Sequence, residues 1–161
     1  MVELRPLVVE TARDWLFLKE SPRLQIDIDD AECYAARQNG GTETGTDILF
    51  SDLFLDEGMQ QMQLDQDFLA DCHRMLNHQG ILVLNLWDEG HSGNRLALTR
   101  LEALFDARCL LCPVNGGNLI ALAFKGGLPV SNPRRLQQQA RQLGKKLGVP
   151  LQRLLNQLKQ Y

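Results

Sequence analysis

"ILVLNLW", residues Ile81–Trp87, is a run of seven in which Asn85 alone is polar. An apolar run without alternation belongs to a strand covered on both faces, the habit of parallel sheets in α/β proteins. Upstream, Phe68, Leu69, Cys72, Met75 and Leu76 recur at helical spacing, with Gly80 expected as the cap that stops that helix. Further back, "TDILFSDLFLDEGM" (Thr46–Met59) holds a second apolar strand that ends in an acid, Asp52. Downstream, Leu98, Leu101, Leu104 and Phe105 mark another helix. Strand and helix alternate, so the expectation is a doubly wound, Rossmann-like α/β sheet.

The pattern extends to both ends. Pro6 stands where proline favours a helix start, and Leu7, Val8, Ala12, Trp15 and Leu16 predict an amphipathic helix over residues 6–18. "PRLQIDIDDA" alternates Leu24, Ile26 and Ile28 with polar residues and predicts a half-buried strand ending at Asp29-Asp30. "RCLLCPV" and "NLIALAF" flank Asn115-Gly116-Gly117, a hairpin signal. The expected sheet has six strands, with residues 118–124 antiparallel to those at Ile48 and Ile81. Asn132-Pro133 then opens a tail of two helices broken at Gly148-Val149-Pro150, giving a body over residues 1–125 and a tail over 126–161.

A chain of 161 residues with 44% apolar and 23% charged content is long enough for one proper core. No apolar run approaches the roughly 20 residues that span a bilayer, and the early acid in "MVELRPLVVE" argues against a signal peptide. Cys33, Cys72, Cys109 and Cys112 then read as reduced thiols of a cytoplasmic protein. The net charge of −3 conceals an asymmetry: residues 126–161 carry seven Lys/Arg and no acid, leaving −10 on the rest. Such a division suggests two jobs, or a tail docked on its own body.

In open α/β sheets, ligands bind beyond the carboxyl ends of the strands. Glu3, Asp30 and Asp52 each follow an apolar strand, so the three acids are candidates for one cleft rim. Taken singly, each is better explained as a helix cap or a solvated strand end; the set of three is less easily explained that way. A carboxylate beside a core is costly unless solvated, hydrogen-bonded or used.

"VELRPLVVETARDWL", "PRLQIDIDDAECY", "DILFSDLF" and "FLADCHRMLNHQGILVLNLW" resemble, in order and spacing, the spermidine synthase family, whose fold is that of class I S-adenosylmethionine-dependent methyltransferases. The resemblance covers roughly residues 2–125 and is most specific from Asp47 to Leu86. It implies S-adenosylmethionine or its decarboxylated form as the adenosyl ligand and a polyamine as acceptor. Glu3 matches the acid that holds the ribose hydroxyls, and Asp30 with Ala31 matches the pair whose carboxylate takes the adenine amino group. Asp52 matches the aspartate that accepts a proton from the attacking amine. The family's second amine-binding acid falls at Leu55, with Asp56 displaced by one. Members carry a strand and a glycine-rich loop ahead of the acid matched by Glu3, and a small β-domain before that. With Glu3 third in the chain, the expected sheet lacks that first strand and loop, and a homo-oligomer is expected to cover what the loss exposes.

Two function classes therefore stand side by side: an aminopropyltransferase or methyltransferase relative, and a non-catalytic interaction module keeping the fold. "QLGKKLGVPLQRLLNQL" resembles the turn region of a helix-turn-helix, but the body's −10 opposes nucleic-acid binding. Cys109 and Cys112 fit a CxxC spacing within a strand, where the thiols point to opposite faces, and no metal site is read. His73 and His78 do not share a helix face, and His91 is read as a solvated loop residue.

Overall fold

A computed structural model describes the chain except residues 20, 39–44, 56–57, 88–91, 115–116, 130–131 and 161. Contacts divide it into two units, Met1–Asn39 and Gly40–Tyr161.

In the first unit, β1 (Val2–Glu3) runs parallel to β2 (Asp27–Ile28), pairing Glu3 with Ile28. Between them lies α1 (Pro6–Trp15), with proline in the first turn, where a missing N–H costs nothing. It ends three residues before the expected Leu18. Phe17 turns into the left-handed region at φ 59°, and the Leu18 amide closes back on the Ala12 carbonyl. The alternation at Leu24, Ile26 and Ile28 yields only the two-residue β2, because Ser21 and Leu24 bridge each other in a turn. α2 (Ala31–Arg37) follows, started by Asp30.

The second unit holds β3 (Thr46–Ser51), the antiparallel pair β4 (Phe54–Leu55) and β5 (Gly58–Met59), a 3₁₀ turn (Gln61–Leu64) and α3 (Gln66–Met75). Then come β6 (Leu76–Trp87), α4 (Ser92–Leu104), β7 (Cys109–Val114), β8 (Asn118–Phe124), α5 (Pro133–Leu147), α6 (Leu151–Gln157) and β9 (Lys159–Gln160). Among the described residues the principal sheet has five strands in the order β3-β6-β8-β7-β9, rather than six. β3 is parallel to β6, and β8 is antiparallel to it, so the expected reversal of residues 118–124 is present.

Gly80 is not a helix cap. α3 ends at Met75, and β6 starts at once, carrying Gly80 inside it. Pairing jumps from Thr46–Leu76 to Ile48–Ile81, so β6 bulges opposite Asp47. A Cβ on Gly80 would lie 2.8 Å from the Thr46 carbonyl oxygen, which explains why glycine is needed at the bulge.

Leu82, Leu84 and Leu86 point to one face of β6 and are fully buried, as are Leu69 of α3, Leu101 of α4 and Phe105. Each such side chain contributes about 2 kcal/mol by leaving water. The opposite row, Ile81, Val83, Asn85 and Trp87, is only partly covered in this unit. The tail joins the same unit: α5 packs on α6, α6 contacts β7, and β9 pairs with β7. Asn132 caps α5 by accepting from the Arg134 amide, and Gly148 ends it in the left-handed region at φ 69°. No helix among the described residues is long and apolar enough to cross a membrane.

Lys125, one residue beyond β8, donates its ammonium group to the His73 and Leu76 carbonyls at 2.9 and 2.8 Å, where a cation meets the negative end of the α3 dipole. Partial burial pulls its pKa below the usual lysine value. Lys125→Met keeps the stem and removes the donors, and is expected to cost about 2 kcal/mol in urea unfolding. An unchanged midpoint would show that water replaces the cap without loss.

Candidate functional site

Asp52 leaves the end of β3 exposed to solvent. Asn85 lies on the β6 face opposite the buried leucines and donates its side-chain N–H to Asp52 Oδ1 at 2.8 Å. Asn118, the first residue of β8, donates in turn to Asn85 Oδ1 at 2.7 Å. The antiparallel register sets Asn118 opposite Trp87, which brings it to this end of the sheet. Asp52 Oδ2 has no hydrogen-bond partner among the described residues.

The backbone on either side of Asp52 is held from below. Ser51 donates its hydroxyl to Gln63 Oε1 at 2.7 Å, and Gln63 Nε2 donates to the Leu53 carbonyl at 3.0 Å. Gln63 has no solvent exposure, so one buried amide ties both neighbours of the acid. Phe54 and Trp87, each two residues further along, meet with ring centroids 6.0 Å apart at 47°. Asn94 donates to the Trp87 carbonyl at 2.6 Å and fixes where β6 ends. Together these residues offer an accepting carboxylate oxygen and aromatic surface, which suit a cationic amine. Asp56 and His91 lie outside the described residues.

Glu3 and Asp30 lie in the first unit, at the carboxyl ends of two neighbouring parallel strands. Glu3 Oε1 accepts from the Arg5 amide at 2.9 Å, with the Arg5 guanidinium 3.8 Å away. Asp30 is a helix cap, one of the two readings its position allowed: Oδ1 accepts from the Glu32 and Cys33 amides at 2.9 and 3.1 Å. Ala31 is the first residue of the capped helix. Glu3 Oε2 and Asp30 Oδ2 have no partner among the described residues, so each acid keeps an acceptor for hydroxyl or amino groups of a ligand.

Sequence reasoning singled out the three acids as candidates and did not single out Asn85, Asn118 or Gln63. Asn85 carried a signal, as the lone polar residue of an apolar strand, and Gln63 carried none. Burial pushes the Cys109 thiol up to about 11 and Cys72 up to about 12, so neither is a ready nucleophile. Among the described residues no group of three His, Cys, Asp or Glu side chains could hold a metal ion. An apolar groove of about 870 Å³ lies elsewhere in the second unit, between the two tail helices and β7–β8.

No family model matches the chain. Curated relatives named polyamine aminopropyltransferase include one from Neisseria meningitidis, 28% identical over 98% of this chain, and one from Chromobacterium violaceum, 28% identical over 99%. The chain spans 59% and 60% of their lengths. Among solved structures, a probable spermidine synthase from Corynebacterium glutamicum is 26% identical, with a TM-score of 0.69 over 89% of this chain and 53% of that one. Human methyltransferase-like protein 13 in complex with SAH shares the fold, with a TM-score of 0.77 over 92% of this chain and 70% of that one, at 24% identity. The fold is thus of the class I methyltransferase type, as the sequence led us to expect.

Proposed function

We propose, starting from the premise that the chain is a relative of the polyamine aminopropyltransferases, that it binds an adenosyl sulfonium ligand and serves aminopropyl transfer to an amine. The observation that carries this reading is Asp52: a solvent-facing carboxylate at a strand tip, one oxygen held and the other without a partner among the described residues. Glu3 would accept from the ribose hydroxyls and Asp30 from the adenine amino group, each through the oxygen its own backbone contacts leave open. A sulfonium ligand supplies an electrophilic carbon with a neutral thioether as leaving group. Asp52 takes the proton that the acceptor nitrogen sheds as its new bond to carbon forms. Decarboxylated S-adenosylmethionine fits this chemistry better than S-adenosylmethionine, because an aminopropyl group is what the named relatives transfer.

Calorimetric titration with S-adenosylmethionine, its decarboxylated form and methylthioadenosine tests the binding half. Heat is expected with the decarboxylated form and with methylthioadenosine. Absence of heat with all three would overturn the proposal and leave the chain as a non-catalytic member of the fold.

A further inference from the structure

The two asparagines beside Asp52 form a directed series, and the direction is fixed by chemistry. An ionised carboxylate only accepts, so Asn85 must turn its NH₂ toward Asp52 and its carbonyl oxygen away. That oxygen then needs a donor, and Asn118 supplies one at 2.7 Å. The donation runs from the start of β8, across β6, to the tip of β3, with one bond at each step. Both asparagines are half-buried, so water competes less for these bonds than on an open surface.

We propose that Asn85 and Asn118 are positioning residues for Asp52: they hold Oδ1 in one orientation and thereby present Oδ2 to the reacting nitrogen. The role of Oδ2 rests on the reading of Asp52 as the proton acceptor, whereas the orientation of the series does not. Neither asparagine touches the reacting atoms in this arrangement. Asn118 acts through Asn85, and Asn85 acts through Oδ1. A neutral donor suits this task, because a lysine or arginine there would compete with a cationic substrate for the same carboxylate.

The polarity of the series gives a test that packing alone would not pass. Asn118→Leu removes the donor to Asn85, whereas Asn118→Asp keeps the shape and replaces a donor with an acceptor. A carboxylate at position 118 competes for the Asn85 NH₂ and draws it away from Asp52. Aminopropyl transfer is expected to fall modestly in Asn118→Leu and about tenfold in Asn118→Asp, in kcat rather than in KM for the adenosyl ligand, because misplacing a reacting group slows the bound state. Equal kcat in Asn118→Asp and the unaltered protein would overturn the inference while leaving the proposed function intact.

A second readout needs no activity. In ¹⁵N NMR, the Asn85 side-chain amide protons are expected to shift in Asp52→Asn. That shift should weaken when Asn118→Asp is already in place. An Asn85 amide indifferent to the Asp52→Asn change would refute the series outright. Failure of transfer in the unaltered protein would instead fall on the proposed function, with the NMR result still deciding the orientation.

Discussion

Asp52→Asn is expected to lower aminopropyl transfer by about 100-fold, the usual scale for losing a general base. The same change should alter unfolding free energy by less than about 1 kcal/mol, as at exposed sites without a buried partner. Both expectations follow from the geometry. The side chain is exposed, and an asparagine oxygen still accepts from Asn85, so the hydrogen bond at 2.8 Å has a successor. It caps no helix: α3 begins at Gln66, and Asp65 stands at its cap position. What the substitution removes is the ability of Oδ2 to take a proton. Steady-state kinetics with a diamine acceptor, paired with urea unfolding, check the two halves. A loss of several kcal/mol would mean that the carboxylate is built into the fold rather than presented by it.

Gln63→Ala is expected to show the reverse signature, with a stability loss of about 3 kcal/mol. Two terms add: a cavity where a fully buried side chain stood, and a Ser51 hydroxyl and Leu53 carbonyl left without their partner. The net bond energies alone would not reach this size. Stranding buried polar groups is the larger part, because water has no ready access to them. Urea unfolding measures the effect, and a midpoint shift worth under about 1 kcal/mol would show that the backbone around Asp52 is held by something else. Comparison with Gln63→Leu separates the terms, since leucine refills much of the volume while still stranding Ser51.

Much of this architecture could be read from residue pattern. Apolar runs at Ile48–Ser51 and Ile81–Trp87 marked where β3 and β6 lie, but the cover expected on both faces is not there: Ile48 and Phe50 are exposed, and Ile81, Val83, Asn85 and Trp87 are only partly covered. Asn132-Pro133 and Gly148 marked the bounds of α5, because capping chemistry is local and leaves a local signature. Gly80 misled for an instructive reason. Glycine at a helix end and glycine at a β-bulge answer the same demand for a missing Cβ, and only the Thr46 carbonyl across the ladder distinguishes them. The strand foreseen over residues 24–28 shortened to two because alternation reports a half-buried face, not a partner to pair with. Gln63 was illegible for a further reason: a polar residue in a polar stretch gives no hint that folding will bury it completely.

The reversed direction of β8 reaches beyond the ladder it builds. Had β8 run parallel to β6, its first residue would lie at the opposite end of the sheet, about 20 Å from Asp52 at the rise of an extended strand. Running antiparallel, it delivers Asn118 to the acid directly from the connection that joins β7 to β8. Asn118 is itself a rung of that ladder, opposite Trp87 on one side and Val114 on the other. A slip of one residue in the register would therefore turn this wall of the acidic site to the other face of the sheet.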